Sequence, residues 1–145
     1  MSADLDASRA FLLKWSENEA TLAPLVPGGL HADTLPPQPA SPYAQLLVDQ
    51  HKEPEYSSPS ADGTQPYIDY RKVTVKLFGV GKATVDGVVT VIKGFYDNQP
   101  LAVQDASHMR TQPLKNSVQP TGQFKDANEV YNATMEWVLW THRTK

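Results

Sequence analysis

The sequence predicts an α+β fold: a mostly antiparallel sheet of four or five strands with two helices packed on one face. Four observations carry that expectation. Between Tyr67 and Tyr96, Val73, Val75 and Leu77 alternate with Lys72, Thr74 and Lys76, the period of a strand with one dry face. Beyond Gly79 and Gly81, Val85, Val88, Val89, Ile92 and Phe95 recur every three or four positions, the apolar stripe of a helix. Near the N-terminus, Ala7, Phe11 and Trp15 fall four apart with Leu12 alongside, a second amphipathic helix. Near the C-terminus, Tyr131, Ala133, Met135, Trp137 and Leu139 alternate with Asn132, Thr134, Glu136 and Val138. Their β-branched and aromatic content favours a strand over a helix.

Composition narrows the class. A chain of 145 residues is expected to form one domain, spanning 1–145, with a core that needs no staples. The absence of cysteine removes disulfides, thiolate nucleophiles and cysteine-based metal sites. A formal net charge of −3 argues against a general nucleic-acid binder. No apolar run approaches the roughly 20 residues that span a bilayer. Asp4 and Asp6 stand where a signal peptide would be basic, so a soluble protein made in the cytoplasm is expected. The 12 prolines cluster outside the periodic stretches and mark long connections.

Taken in order, the first helix is expected over Asp6 to Ala20, capped by Asp4 or Asp6. Leu22 to Val26 forms a short second turn, and Pro27-Gly28-Gly29 stops it. A proline-rich connector, 31–42, carries Pro36, Pro37, Pro39 and Pro42. Tyr43 to Glu53 is a strand with apolar residues on both faces, suited to a central position or an interface. A polar loop over 54–66 then returns the chain into the strand Tyr67 to Val80, closing an antiparallel hairpin. Thr84 is the expected N-cap of the next helix, with Asp86 in its first turn. The stretch 98–128 is a polar loop or arm, with a short strand start at Leu101–Val103 and one extended strand at His108–Val118. The basic tail His142-Arg143-Thr144-Lys145 is expected to fray.

Each apparent chemical motif fails on inspection. Gly79-Val80-Gly81-Lys82-Ala83-Thr84 lies between strand and helix, where a phosphate loop would sit. The Walker pattern needs glycine at Lys76 and a hydroxyl residue at Ala83, and G-x-G-x-x-G fails at Thr84. His31, His51, His108 and His142 are scattered without metal-ligand spacing. Ser57, Ser58 and Ser60 lie in a flexible segment, not a nucleophile elbow. Asp49, Glu53 and Glu55 lack the apolar frame that would shift a carboxylate pKa. Tyr67, Tyr70 and Phe78 alternate with Arg71, Lys72 and Lys76 as in some RNA-binding sheets, but the ribonucleoprotein pattern is missing. The sequon Asn132-Ala133-Thr134 falls on a predicted strand. No catalytic residue, cofactor or metal site is expected.

The arrangement of these segments resembles the tail-terminator or tail-completion proteins of long-tailed bacteriophages. The resemblance rests on the helix ending in Leu25-Val26-Pro27-Gly28-Gly29-Leu30 and the connector into Pro42-Tyr43-Ala44. It continues through the strands Gln45–His51 and Tyr70–Phe78, the helix ending in Phe95-Tyr96, and Val130-Tyr131-Asn132-Ala133 through Trp137 and Trp140. It implies a non-enzymatic virion protein, assembled in the host cytoplasm. In such a role a homohexameric ring caps the head-proximal end of the tail tube. The implied partners are the chain itself, the tail-tube protein and a head-closure or neck protein. DNA passes through the ring lumen without specific recognition, and no membrane is involved. A head-closure protein, a tail-tube protein and a small nucleic-acid-binding sheet are the alternatives. Function would then reside in surfaces, and the loop with its flanking strand ends (Glu53, Glu55, Tyr56 and Asp62) is expected to make ring or tube contacts.

Overall fold

In the computed structural model of the chain, residues 3–32, 35, 41–49, 55–56, 66–103, 107–125 and 128–144 are described. The chain opens with helix α1 (Ala3–Glu17) and helix α2 (Glu19–Leu25). The break falls at Asn18 rather than Pro24, which α2 carries inside it. Asn18 leaves helical geometry at ψ 20°. Its side-chain amide donates back to the Lys14 carbonyl at 2.8 Å, the local competition that makes asparagine a poor mid-helix residue.

The Gly28-Gly29 stop does more than end the helix. Gly29 takes a positive φ of 77°, and its amide donates to the Val26 carbonyl. Gly28 donates to the Pro42 carbonyl, and Ala44 donates to the Gly29 carbonyl. These bonds align strand β1 (Leu30–Ala32) parallel to strand β2 (Tyr43–Asp49), pairing Leu30 with Ala44. The expected connector 31–42 thus begins as a strand. Its prolines start only at Pro36, so His31 and Ala32 keep the amide donors that a ladder needs.

Strand β3 (Glu55–Tyr56) continues the β2 edge, and both pair antiparallel with strand β4 (Pro66–Val80), as the hairpin predicted from sequence requires. After helix α3 (Lys82–Tyr96) come strands β5 (Ser107–Pro113), β6 (Ser117–Lys125) and β7 (Asn128–Thr144). β4 and β7 pair along their full overlap, from Pro66 opposite Thr144 to Val80 opposite Val130. The tail expected to fray is therefore paired through Thr144. The sheet has seven strands in the order β1-β2-β4-β7-β5, with β3 on β4 and β6 on β7. It is mixed only through β1.

The strand count exceeds the four or five expected because β1 begins the connector, β3 lies in the expected polar loop, and 98–128 holds two strands. The ladder to β7 is interrupted after Pro113, where the Leu114 amide donates to the Glu136 carbonyl, and pairing resumes in the same direction at Ser117. Leu101–Val103 forms no strand; Leu101 is instead buried against the core. β5 and β6 are held by ladder bonds to β7, not by an apolar face, so they leave little hydrophobic period to read.

Both helices lie on one sheet face. Ala7, Ala10, Phe11 and Trp15 of α1 and Val85, Val88, Val89, Ile92 and Tyr96 of α3 meet Ala44, Leu46, Val73, Val75, Leu77, Ala133, Met135, Trp137 and Leu139 of the sheet. Tyr96, not Phe95, fills the last core position of α3, with Phe95 only half-buried. Gly79 suits this packing: a β-carbon there would stand 3.0 Å from the Val85 side chain and 3.4 Å from Pro42, so those neighbours would have to shift.

Candidate functional site

Period-two alternation places Tyr43, Gln45 and Leu47 of β2 on the sheet face away from the helices. Lys72, Thr74, Lys76 and Phe78 of β4 and Thr134, Glu136, Val138 and Trp140 of β7 join them there. Their half-buried state contrasts with the full burial of the alternate residues. Among the described residues no helix covers this face. This arrangement explains why the 43–53 segment reads as apolar on both sides: one side feeds the core and the other feeds an open surface.

The open face is organised. Tyr43 stacks on its cross-strand partner Phe78 with centroids 5.1 Å apart, at one end. At the other, the Trp140 indole donates to Gln112 Oε1 at 3.1 Å. Between them Lys72 Nζ meets Glu136 at 2.6 Å. A shallow depression of about 440 Å³ sits mid-face, lined by Leu47, Val48, Thr74, Lys76, Thr134 and Glu136. Lys76 has no carboxylate partner among the described residues. Asn132, opposite Phe78, carries a buried side-chain oxygen without a hydrogen-bond partner. Mixed polar and apolar surface with a few aromatic anchors is the composition of a protein interface.

The residues singled out for assembly contacts fall differently. Glu55 and Tyr56 lie in β3, their backbone paired with Ile68 and Tyr67 of the same chain. Glu53, Asp62 and the serines of the 57–65 stretch lie outside the described residues. The open mid-face was missed as a site because its residues also serve as ordinary strand residues. The two-faced pattern of 43–49 was the available signal.

The other sequence candidates stay apart. His31 Nε2 bonds the Gly28 carbonyl at 2.6 Å, and His108 Nε2 bonds the Thr111 hydroxyl at 2.8 Å. Thr111 in turn donates to the Gln99 carbonyl, so the histidine acts in the α3–β5 connection. Burial lowers the His108 pKa below its ordinary value. No group of three His, Cys, Asp or Glu able to hold a metal occurs among the described residues. No helix among them is long and apolar enough to cross a membrane. At the glycine turn, Gly81 (φ 86°) is the N-cap of α3, and its carbonyl accepts from the Val85 amide. Thr84 is not the cap: it sits inside the first turn, since the helix begins at Lys82. Asp86 pairs with Lys82 at 2.9 Å and raises the lysine's pKa.

No family model and no curated protein matches the sequence. Solved structures do share the fold. A chain of the virion of a native gene transfer agent particle superposes with a TM-score of 0.64 at 15% identity, over 96% of this chain and 95% of that one. A second solved structure superposes with a TM-score of 0.55 at 19% identity, over 96% of each chain.

Proposed function

We propose that the protein is a structural component of a phage-like virion and acts as its tail terminator. In this reading a ring of copies caps the head-proximal end of the tail tube and joins it to the head-closure complex. The carrying observation is the likeness, over nearly the whole chain, to a chain of a gene transfer agent virion. The open sheet face supports the same reading, because it supplies a broad, mixed-polarity surface for neighbours. Function then lies in surfaces rather than in bond-making chemistry.

The loop between β3 and β4 belongs to this reading. With Glu53, Glu55, Tyr56 and Asp62 it reaches a neighbour in the ring or the tube. Deleting Ser58–Gly63 is expected to weaken assembly while leaving the circular dichroism spectrum unchanged. Unimpaired rings and tails of ordinary length in that variant would remove the loop from the interface.

Particle assembly without the protein tests the role itself. Tails are expected to run past their normal length and to remain separate from filled heads. Tails of normal length joined to heads would contradict terminator function.

A further inference from the structure

Resting on that ring reading, we infer that Phe124 of one copy seats in the mid-face depression of a second copy, with Glu129 beside it facing Lys76. Phe124 is the most exposed large apolar residue among those described, at 67%. It is also held in place. The Thr121 hydroxyl donates to the Val130 carbonyl at 2.8 Å, and the Gln123 amide donates to Thr121 Oγ1 at 3.2 Å. Gly122 turns the strand at φ 80°, and pairing resumes at Phe124 opposite Glu129. An exposed aromatic residue on a strand whose backbone is held in this way has the form of an interface anchor.

The edge that carries Phe124 is unsuited to joining a neighbour by strand addition. Pro113 and Pro120 lack amide donors, and the register breaks at Met109 and again between Pro120 and Phe124. A neighbour must therefore be met by side chains. The mid-face depression has the matching chemistry: Leu47 and the threonine methyls for the ring, and an unpaired lysine for the acid. Lys72 already holds Glu136, whereas Lys76 has no carboxylate partner among the described residues.

Anchor and depression lie on different parts of one chain. Thr134 is about 17 Å along β7 from Glu129, and it opens on the sheet face rather than at the hairpin end. Such a contact is head-to-tail, and head-to-tail contacts close into rings when their rotation divides a full turn.

The chain has no cysteine, which makes cross-linking a clean test. In the full-length protein, Phe124→Cys with Thr134→Cys is expected to oxidise into a ladder of multimers. A mixture of the two single variants gives dimers only, and neither single variant alone gives them. Phe124→Ala raises the dissociation constant by about tenfold or more, with an unchanged melting curve. Lys76→Glu weakens association, and Lys76→Glu with Glu129→Lys restores it. Rings visible by electron microscopy without this cross-link would overturn the seat and leave the ring reading standing. Dimers from Phe124→Cys alone would show tip-to-tip contact and overturn it too. A chain that forms no rings under any condition would remove both readings.

Discussion

At Trp137 one side chain ties the sheet to both major helices. Its ring lies 5.6 Å from Phe11 of α1 and 5.4 Å from Tyr96 of α3, which themselves stack at 4.7 Å. Its indole N–H donates to Asp97 Oδ1 at 2.6 Å, and Lys93 pairs with the same carboxylate at 3.2 Å. The Tyr96 hydroxyl donates to the Phe11 carbonyl at 2.7 Å, and burial holds its pKa far above the ordinary tyrosine value. The phenol thus stays neutral and keeps donating at any working pH. Trp137→Phe keeps most of the volume but leaves Asp97 with only its Lys93 donor, at an expected cost of about 1–3 kcal/mol. Trp137→Ala adds a cavity and costs about 3–5 kcal/mol; urea unfolding of the two variants separates the terms. His108 gives stability a pH dependence. Its folded pKa is lowered, so the unfolded chain binds the proton more readily. Stability is full above the unfolded value of about 6.5 and falls as pH drops from there through the folded value. His108→Gln is expected to flatten that slope in melting temperatures taken between pH 7 and pH 5.

Among the elements, α3 shows how local sequence and packing divide the work. Its buried face follows the three-and-four spacing, while Gly87 and Gly94 lie on the exposed side with open space around the position of a β-carbon. Ala at either site is expected to stabilise the fold by about 0.5–1 kcal/mol, read as a raised urea midpoint with unchanged slope. Loss of stability would mean that close packing, not backbone entropy, governs those sites. The helix body was legible in the sequence, but its start was not. Thr84 has the chemistry of a cap, yet the chain turns earlier, at Gly81, whose positive φ sets the entry angle. The strands divide in the same way. β4 and β7 each bury one face, so their alternation shows. β1, β5 and β6 are short or polar and exist through ladder pairing with a neighbouring strand, which no local hydrophobic period records.

For the molecule as a whole, the layer arrangement was readable because two helical stripes and two alternating strands require each other to bury their apolar sides. The number of strands was not, since edge strands contribute ladder bonds rather than core. The assembly surface was half legible. The two-sided apolar pattern of 43–53 pointed to a central position or an interface, but only the three-dimensional register brings Leu47, Thr74, Lys76, Thr134 and Glu136 into one depression. The exposed Phe124 stayed hidden in a stretch without period. In the proposed virion role these features form one design: a sheet-and-helix body, an open face and the exposed Phe124. The most direct measurement is electron microscopy of the purified chain, alone and mixed with its tail-tube protein, with mass by light scattering alongside. Single closed rings that sit on tube ends and halt further growth are the expected result. Stacked tubes of the chain itself, or a monomer that leaves tube growth unchanged, would contradict the terminator account.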